Sequence, residues 1–280
     1  MSDNLNIFTV DLEEWFHIND STWMPVENWS ALENRVNHNT QIILSFLKKH
    51  QIKASFFVLG WIAEQYPELI RQIVAEGHDI GYHSYYHRIP KFQTKKEFEK
   101  DLSKGLNLLE KITQQKVEYY RAPNFSLKNK WMLDCLINHG ITVSSSIKNP
   151  IKHNGVDLPN EPFILTRNQK QIIELPLTTR YFPFLKFAYS GSGYFRILPY
   201  TLMKNLYKNK PYLMMYFHPR DFDHNLPTHN KLGHIRNTLN TLGTTTTLPK
   251  LEKLTQHHKF ISISQALSNI ALSTLPVIEY

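Results

Sequence analysis

Short apolar runs alternate with amphipathic helical stretches along most of this chain, and that alternation restricts it to a few folds. Strand patterns fall at residues 7–10, 54–59, 79–82, 117–120, 141–144, 172–175, 212–217 and 260–263. Helical stripes lie between them. Ile62, Tyr66, Leu69, Ile70 and Ile73 recur at helical spacing, with Gly77 as the closing cap. Ser30-Ala31-Leu32-Glu33 and Thr94-Lys95-Lys96-Glu97 read as capping boxes that open helices; after the second, Phe98, Leu102, Leu109 and Ile112 share one face. Repeated β–α units of this kind predict an α/β protein with a parallel sheet or barrel and helices outside. The pattern loosens over 149–194, where prolines predict loops or short antiparallel pieces inside one domain spanning 1–280. Gly191-Ser192-Gly193 lacks the third glycine of a dinucleotide fingerprint and reads as a turn or a substrate-side loop.

Composition narrows the function classes. The net charge of +8 raises nucleic acid, but the cations are scattered, with no run longer than Lys48-Lys49 or Lys95-Lys96. No nucleic-acid partner is expected; an anionic glycan, a nucleotide sugar or a lipid head group suits such a surface as well as nucleic acid does, and a merely solvated surface suits it better than any of these. The single Cys135 excludes an internal disulfide and any cysteine-rich zinc site, and its apolar neighbours predict a buried thiol. No secretion signal or spanning helix is legible, and the first strand begins beside Met1. The expected location is the cytoplasm, with peripheral contact at the inner face of the membrane.

In parallel β/α folds the site lies beyond the carboxyl ends of the strands. Asp11 and Glu13 end the first strand, His83 and His87 follow the third, Arg121 ends the fourth, and His218 ends the apolar run Leu213-Met214-Met215-Tyr216-Phe217. All these polar residues therefore emerge at one rim. His83 and His87, four apart, would share one side of a helical turn and point two imidazoles at one ion, with the Asp11–Glu14 cluster offering a third ligand. With 14 histidines in the chain the pair alone says little, and the carboxylates give it weight. Arg121 could pair with Asp11 and hold it ionised. Pro123 would fix the backbone so that the amide of Asn124 or Phe125 serves as an oxyanion donor. His218 is a plausible general acid.

These motifs resemble the polysaccharide deacetylases of carbohydrate esterase family 4, with the NodB-homology fold, and within it a branch associated with exosortase and exopolysaccharide loci. The resemblance rests on Val10-Asp11-Leu12-Glu13-Glu14-Trp15-Phe16, Gly77-His78-Asp79-Ile80-Gly81-Tyr82-His83, Tyr120-Arg121-Ala122-Pro123-Asn124-Phe125-Ser126, Gly191-Ser192-Gly193-Tyr194-Phe195-Arg196-Ile197-Leu198-Pro199 and Tyr216-Phe217-His218-Pro219, in order over nearly the whole chain. It implies a distorted (β/α)7 barrel and a hydrolase that removes the N-acetyl group of a hexosamine in a glycan or its sugar precursor. By position it implies Asp11 as base, His83 and His87 as ligands of a divalent ion (Zn²⁺ is the expected one), Arg121 orienting Asp11, and His218 as acid. Two departures stand out. Residue 12 is Leu where many members have a second aspartate, which leaves Glu13 or Glu14 as the carboxylate ligand. Glu13 is preferred because it shares the strand face of Asp11, whereas Glu14 reads as a solvated charge. Ser144 replaces an aspartate usual in the branch. Trp15, Trp23, Tyr85, Tyr86, Phe125 and Tyr194 are candidate surfaces for sugar rings, with Asn124 beside them. A hydrolase of another small amide and a non-catalytic glycan-binding barrel are the alternative readings.

Overall fold

The computed structural model describes residues 4–18, 24–148, 152–153, 156–182 and 185–280. Nine strands form one sheet: β1 (Leu5–Leu12), β2 (Ser55–Val58), β3 (Asp79–Tyr82), β4 (Tyr119–Tyr120), β5 (Val143–Ser144), β6 (Phe163–Arg167), β7 (Lys170–Glu174), β8 (Tyr212–Phe217) and β9 (Val277–Glu279). Their order is β8-β1-β2-β3-β4-β5-β7-β6-β9. Every pairing is parallel except the β6–β7 hairpin. Two further two-stranded pairs, Lys152–His153 with Val156–Asp157 and Arg180–Phe182 with Leu185–Phe187, are antiparallel, as the loosened pattern there predicts. Helices α1 (Val36–Lys49), α2 (Gly60–Gln65), α3 (Pro67–Ala75), α4 (Lys95–Thr113) and α5 (Lys130–Asn138) occupy the first half. The second half holds α6 (Ser192–Ile197), α7 (Tyr200–Tyr207), α8 (Gly233–Thr241), α9 (Thr244–Leu254) and α10 (Ile263–Asn269).

Seven of the strands (β1–β5, β7 and β8) curl into a ring. The chain running on from β7 reaches β8 without a full ladder: Met214 N donates to Thr178 Oγ1 at 2.7 Å, and Tyr216 N to the Ser190 carbonyl at 3.3 Å. Gly191 is obligatory at this seam, because a Cβ there would fall 1.8 Å from the Tyr216 carbonyl oxygen. The result is a distorted (β/α)7 barrel, closed on one side by side chains and single bridges.

Period-two alternation along β1 sets the chemistry. Phe8, Val10 and Leu12 face outward into the large core between sheet and helices, where Phe8 stacks on Phe217 at 5.2 Å. Ile7 faces inward, where it packs with Phe57, Val143 and Met214. Thr9, Asp11 and Glu13 continue that inward face upward. Leu12 therefore belongs to the outer core and could not reach an ion in the barrel mouth.

Several local expectations are corrected. No helix starts at Ser30; residues Val26–Ala31 form a 3₁₀ turn and α1 begins at Val36. The reason is Glu14, whose carboxylate accepts the amides of Arg35 at 2.9 Å and Val36 at 2.9 Å and so supplies the cap from another part of the chain. Glu14 is fully buried, not a solvated charge. The stripe over 62–74 splits into α2 and α3 at Pro67. Residues 260–263 contribute only the bridge from Ile261 to Ile7, whereas β6 and β9 had no legible pattern. The β6–β7 turn, Asn168-Gln169, has positive φ at both residues, a type I′ turn made without glycine. Thr94 and Glu97 do form the reciprocal capping box of α4, and Cys135 is buried.

Candidate metal centre and active site

His83 and His87 do not lie on a helix. They sit in the loop after β3, and positive φ at Ser84 (71°) and His87 (54°) folds that loop so that both rings enter the barrel mouth, 5.3 Å apart. Asp101, from α4, holds the loop by accepting the Tyr85 amide at 3.0 Å and the Tyr82 hydroxyl at 2.7 Å. One ligand atom each from Glu13, His83 and His87 lies within 4.8 Å of the others, and all three residues are buried.

The protonation states suit a cation. His83 Nδ1–H donates to the Arg121 carbonyl at 2.7 Å, which fixes the tautomer and leaves Nε2 as a free lone pair. Burial, against the pull of Asp11, lowers His83 to about 4. Burial and the neighbouring His83 and His17 lower His87 well below the usual imidazole range. Both rings are neutral at pH 7, the form that ligates. Glu13 Oε2 is buried without a hydrogen-bond partner among the described residues and stands 3.2 Å from His87 Nε2. An orphaned carboxylate oxygen is costly unless something fills the gap. Burial, only partly offset by Arg220 and His218, pushes Glu13 up to about 7, and a cation between these three groups would relieve that cost. The donor set of two imidazoles and one carboxylate fits a catalytic zinc-type site.

Asp11 lies beside this set. Arg121 Nη1 donates to its Oδ1 at 2.6 Å and to Thr9 Oγ1 at 2.8 Å, while Nη2 donates to Ser145 Oγ at 2.9 Å. Burial opposes ionisation of Asp11, but Arg121, His83 and His218 outweigh it and hold the carboxyl below its usual range. The guanidinium is itself wholly buried and lies 4.1 Å over the Phe57 ring. Across the mouth, His218 Nε2 stands 3.2 Å from Glu13 Oε1 and 3.9 Å from Asp11 Oδ2. Its Nδ1 is held by Asp221 Oδ2 at 3.1 Å, with Ser192 Oγ at 3.2 Å. Asp221 is in turn backed by Arg196 Nε at 3.3 Å; burial would raise it, yet Arg196 and His218 hold it well below the carboxylate range.

Other expected residues are redistributed. Trp15 is only 3% exposed and donates its Nε1–H to the Glu33 carbonyl at 2.8 Å, so it packs in the core and cannot present a face to a sugar. Tyr85 is likewise buried, under the Lys104 ammonium. Trp23 lies outside the described residues. Phe125 is half-buried, packed edge-on to Tyr216 at 5.3 Å, while Asn124, just beyond β4, and Tyr194, on α6, are exposed. The Phe125 amide donates to the Ala122 carbonyl at 2.9 Å, which removes it as an oxyanion donor and leaves that of Asn124. Asn124 and Phe125 both adopt positive φ, a strained pair at the mouth. Ser144 faces Glu174 across the β5–β7 pairing, and Glu174 Oε1 accepts the amides of Ser146 at 2.7 Å and Ile147 at 2.8 Å. A carboxylate thus stands beside Ser144 from the adjacent strand and fixes the loop carrying Ser145.

Sequence reasoning missed Ser192, Asp221, Arg220 and His17. Asp221 follows His218 by three residues and closes a reciprocal cap on it, a spacing that could have been read. His17 is buried, accepts the Glu14 amide at Nδ1 (3.1 Å) and leaves Nε2 without a partner among the described residues, beside Trp29 and Trp61.

Inward acids, a neutral histidine pair and a backed histidine at the mouth of a parallel barrel make up a candidate metal centre. The polysaccharide deacetylase family profile matches residues 28–144, and a domain of unknown function, DUF3473, matches 144–268. The two meet inside β5, although strands from both build one sheet. Among curated relatives, a peptidoglycan-N-acetylglucosamine deacetylase of Bacillus cereus is 34% identical over 84 residues, 30% of each chain. The peptidoglycan-N-acetylmuramic acid deacetylase PdaA of Bacillus subtilis is 31% identical over 97 residues, 35% of this chain and 37% of that one. The matched segment spans about a third of these relatives' length. Among solved structures, a Mycobacterium smegmatis protein provisionally classed as a polysaccharide deacetylase aligns over 99% of this chain and 93% of its own, with a TM-score of 0.66 and 18% identity. A CE4 family pseudoenzyme from Bacillus anthracis aligns over 100% and 71%, with a TM-score of 0.53 and 15% identity. Residues 28–144 thus match the polysaccharide deacetylase family, and the chain as a whole shares its fold with solved structures of carbohydrate esterase family 4.

Proposed function

We propose that this protein is a metal-dependent N-deacetylase that hydrolyses the acetamido group of a hexosamine in a glycan or its biosynthetic precursor. The fold alone does not carry this, since the same fold houses a pseudoenzyme. The observation that carries it is the ionised Asp11 beside the Glu13–His83–His87 set, with His218 facing both. A divalent ion held by those three residues, Zn²⁺ by the chemistry of the donors, supplies Lewis acidity toward the acetyl carbonyl and the attacking water.

Asp11, kept ionised by Arg121, accepts a proton from the attacking water. The exposed rim backbone at Asn124 can donate to the developing oxyanion. His218, with Nδ1 fixed by Asp221, carries a proton at Nε2 for the departing amine, so that acetate and a free amino sugar result. Thr9 and Ser145 hold Arg121, and through it Asp11, in one orientation.

Asp11→Asn keeps the shape of the site and removes the base. The variant is expected to bind one equivalent of Zn²⁺ and to lose turnover by roughly 10²-fold or more. His83→Ala is expected to lose the metal altogether. Near-normal turnover of Asp11→Asn, or full metal stoichiometry in His83→Ala, contradicts the assignment; a purified wild type that binds metal but releases no acetate from any N-acetylated sugar favours the non-catalytic barrel.

A further inference from the structure

The scattered cations of the sequence are not evenly shared. Between Leu175 and Leu251 the chain carries ten lysines and arginines and only two carboxylates, Asp221 and Asp223, a surplus equal to the whole net charge of +8. Both carboxylates are buried and already paired, Asp221 with Arg196 and Asp223 with Arg35. Of these cations, Lys204 and Lys208 lie with Asn4 and Asn6 at the amino end of β1, whereas Lys231 and Arg236 lie exposed in the stretch 224–251, which contains no carboxylate.

The same region carries an apolar face that is uncovered among the described residues. Helix α8 has no buried residue. Ile235 is 76% exposed, Leu239 56% and Leu242 46%, at a spacing of four and three that places them on one side of the helix. Lys231 and Arg236 are exposed on the same short segment. A nine-residue helix is marginal in water unless an apolar stripe is covered. Here it is pinned from behind instead: Arg196 Nη2 donates to the Leu239 carbonyl at 3.1 Å, and Gly243 meets the Arg196 carbonyl so closely that a Cβ would lie 2.7 Å from it. Ile197, next to Arg196, is 50% exposed on α6, the helix whose first residue, Ser192, meets His218 Nδ1 at 3.2 Å. The face thus borders the candidate active site, and Arg196 connects α8 through Asp221 to His218.

We propose that the α6–α8 face, built on Ile197, Ile235, Leu239 and Leu242 and ringed by Lys231 and Arg236, docks on an anionic lipid surface and presents the barrel mouth to a lipid-anchored glycan. Apolar residues set among cations on an amphipathic segment match the boundary between head groups and acyl chains, and the acid-free charge selects anionic lipid. A second copy of the chain would bring this positive face against itself and is disfavoured by charge. The lipid surface is independent of the deacetylase reading; only the glycan it delivers rests on that reading.

Flotation of the purified full chain with vesicles tests it. Binding is expected to vesicles of phosphatidylcholine with about a third phosphatidylglycerol, to weaken on phosphatidylcholine alone and to fall with added salt. Lys231→Glu with Arg236→Glu is expected to lower the partition coefficient on the order of fivefold per cation removed. Ile235→Glu with Leu239→Glu is expected to lower it at least tenfold, with thermal stability and turnover on a soluble N-acetylhexosamine oligomer unchanged. Failure of the wild type to float at low salt, or equal flotation of both variants, overturns the proposal. So does a dimer by light scattering that Ile235→Glu with Leu239→Glu dissociates in a protein that ignores vesicles. Vesicle binding without acetate release would leave the docking surface standing and count against the deacetylase reading alone.

Discussion

Two adjacent glutamates at the end of β1 have opposite assignments, and exchanging each for glutamine separates them. Glu14 points outward and accepts the Arg35 and Val36 amides at the start of α1. Glutamine keeps one acceptor oxygen but loses the second contact, Arg35 N to Oε2 at 3.1 Å, and loses the charge facing the helix N-terminus. A charge-assisted bond contributes about 1.5–3 kcal/mol and the helix-end charge about 0.3–1 kcal/mol. Burial pushes Glu14 up to about 7, so near neutral pH part of that charge is already given up, and a net loss of about 1–2 kcal/mol is expected. Glu14→Ala, which strands both buried amides, should cost about 2–4 kcal/mol. Glu13→Gln is expected to do the reverse: with Oε2 unpartnered and the carboxyl pushed up by burial, stability of the metal-free protein holds or rises, while zinc affinity collapses. Urea unfolding with and without chelator, beside metal content by mass spectrometry, reads both quantities. A Glu14→Gln protein of wild-type stability that has lost its metal would refute the division of roles.

Glu174 offers a pH test. Burial, against the Ser146 and Ile147 amides and Arg121, raises its carboxyl to about 7 from about 4.5 in the unfolded chain, so the native state holds the extra proton between those values. Stability from this group is complete below about pH 4.5 and is lost as pH rises through about 7. Glu174→Gln should accordingly match the wild type near pH 4.5 and exceed it at pH 8, by up to about 3 kcal/mol; parallel unfolding profiles at the two pH values contradict this. Asp221→Asn should leave metal content intact and lower kcat about 10–100-fold with little change in KM, because it frees the His218 ring rather than removing it. An unchanged pH profile of kcat in that variant would count against Asp221 as a positioning residue.

Strand existence, the parallel architecture and the rim that gathers Asp11, His83, Arg121 and His218 were legible because each rests on local periodicity. The cap of α1 was not, since it is supplied by Glu14 from 21 positions earlier, and the false box at Ser30 competed for it. The histidine pair was found for the wrong geometric reason: its spacing suggests a helical turn, but two left-handed residues in a loop bring the rings together. The choice of Glu13 over Glu14 followed from the two-residue strand period, which also explains why Leu12 is apolar. Trp15 looked available only because burial of an aromatic beside a site cannot be read from its neighbours. The β6–β7 hairpin hid because Asn168-Gln169 takes the conformation that Asn-Gly would have announced. The acid-free stretch 224–251 was present in the sequence throughout, but its meaning depended on the fold leaving Ile235 and Leu239 exposed beside Lys231 and Arg236.

The proposed chemistry is removal of acetyl groups at the barrel mouth by metal-assisted hydrolysis. Acetate release from N-acetylhexosamine oligomers, measured on the purified chain as isolated, after chelation and after restoring Zn²⁺, tests it most directly. Release is expected to stop on chelation, to return with about one equivalent of metal per chain and to be absent in His83→Ala. Release that persists in the chelated protein or in His83→Ala would contradict it.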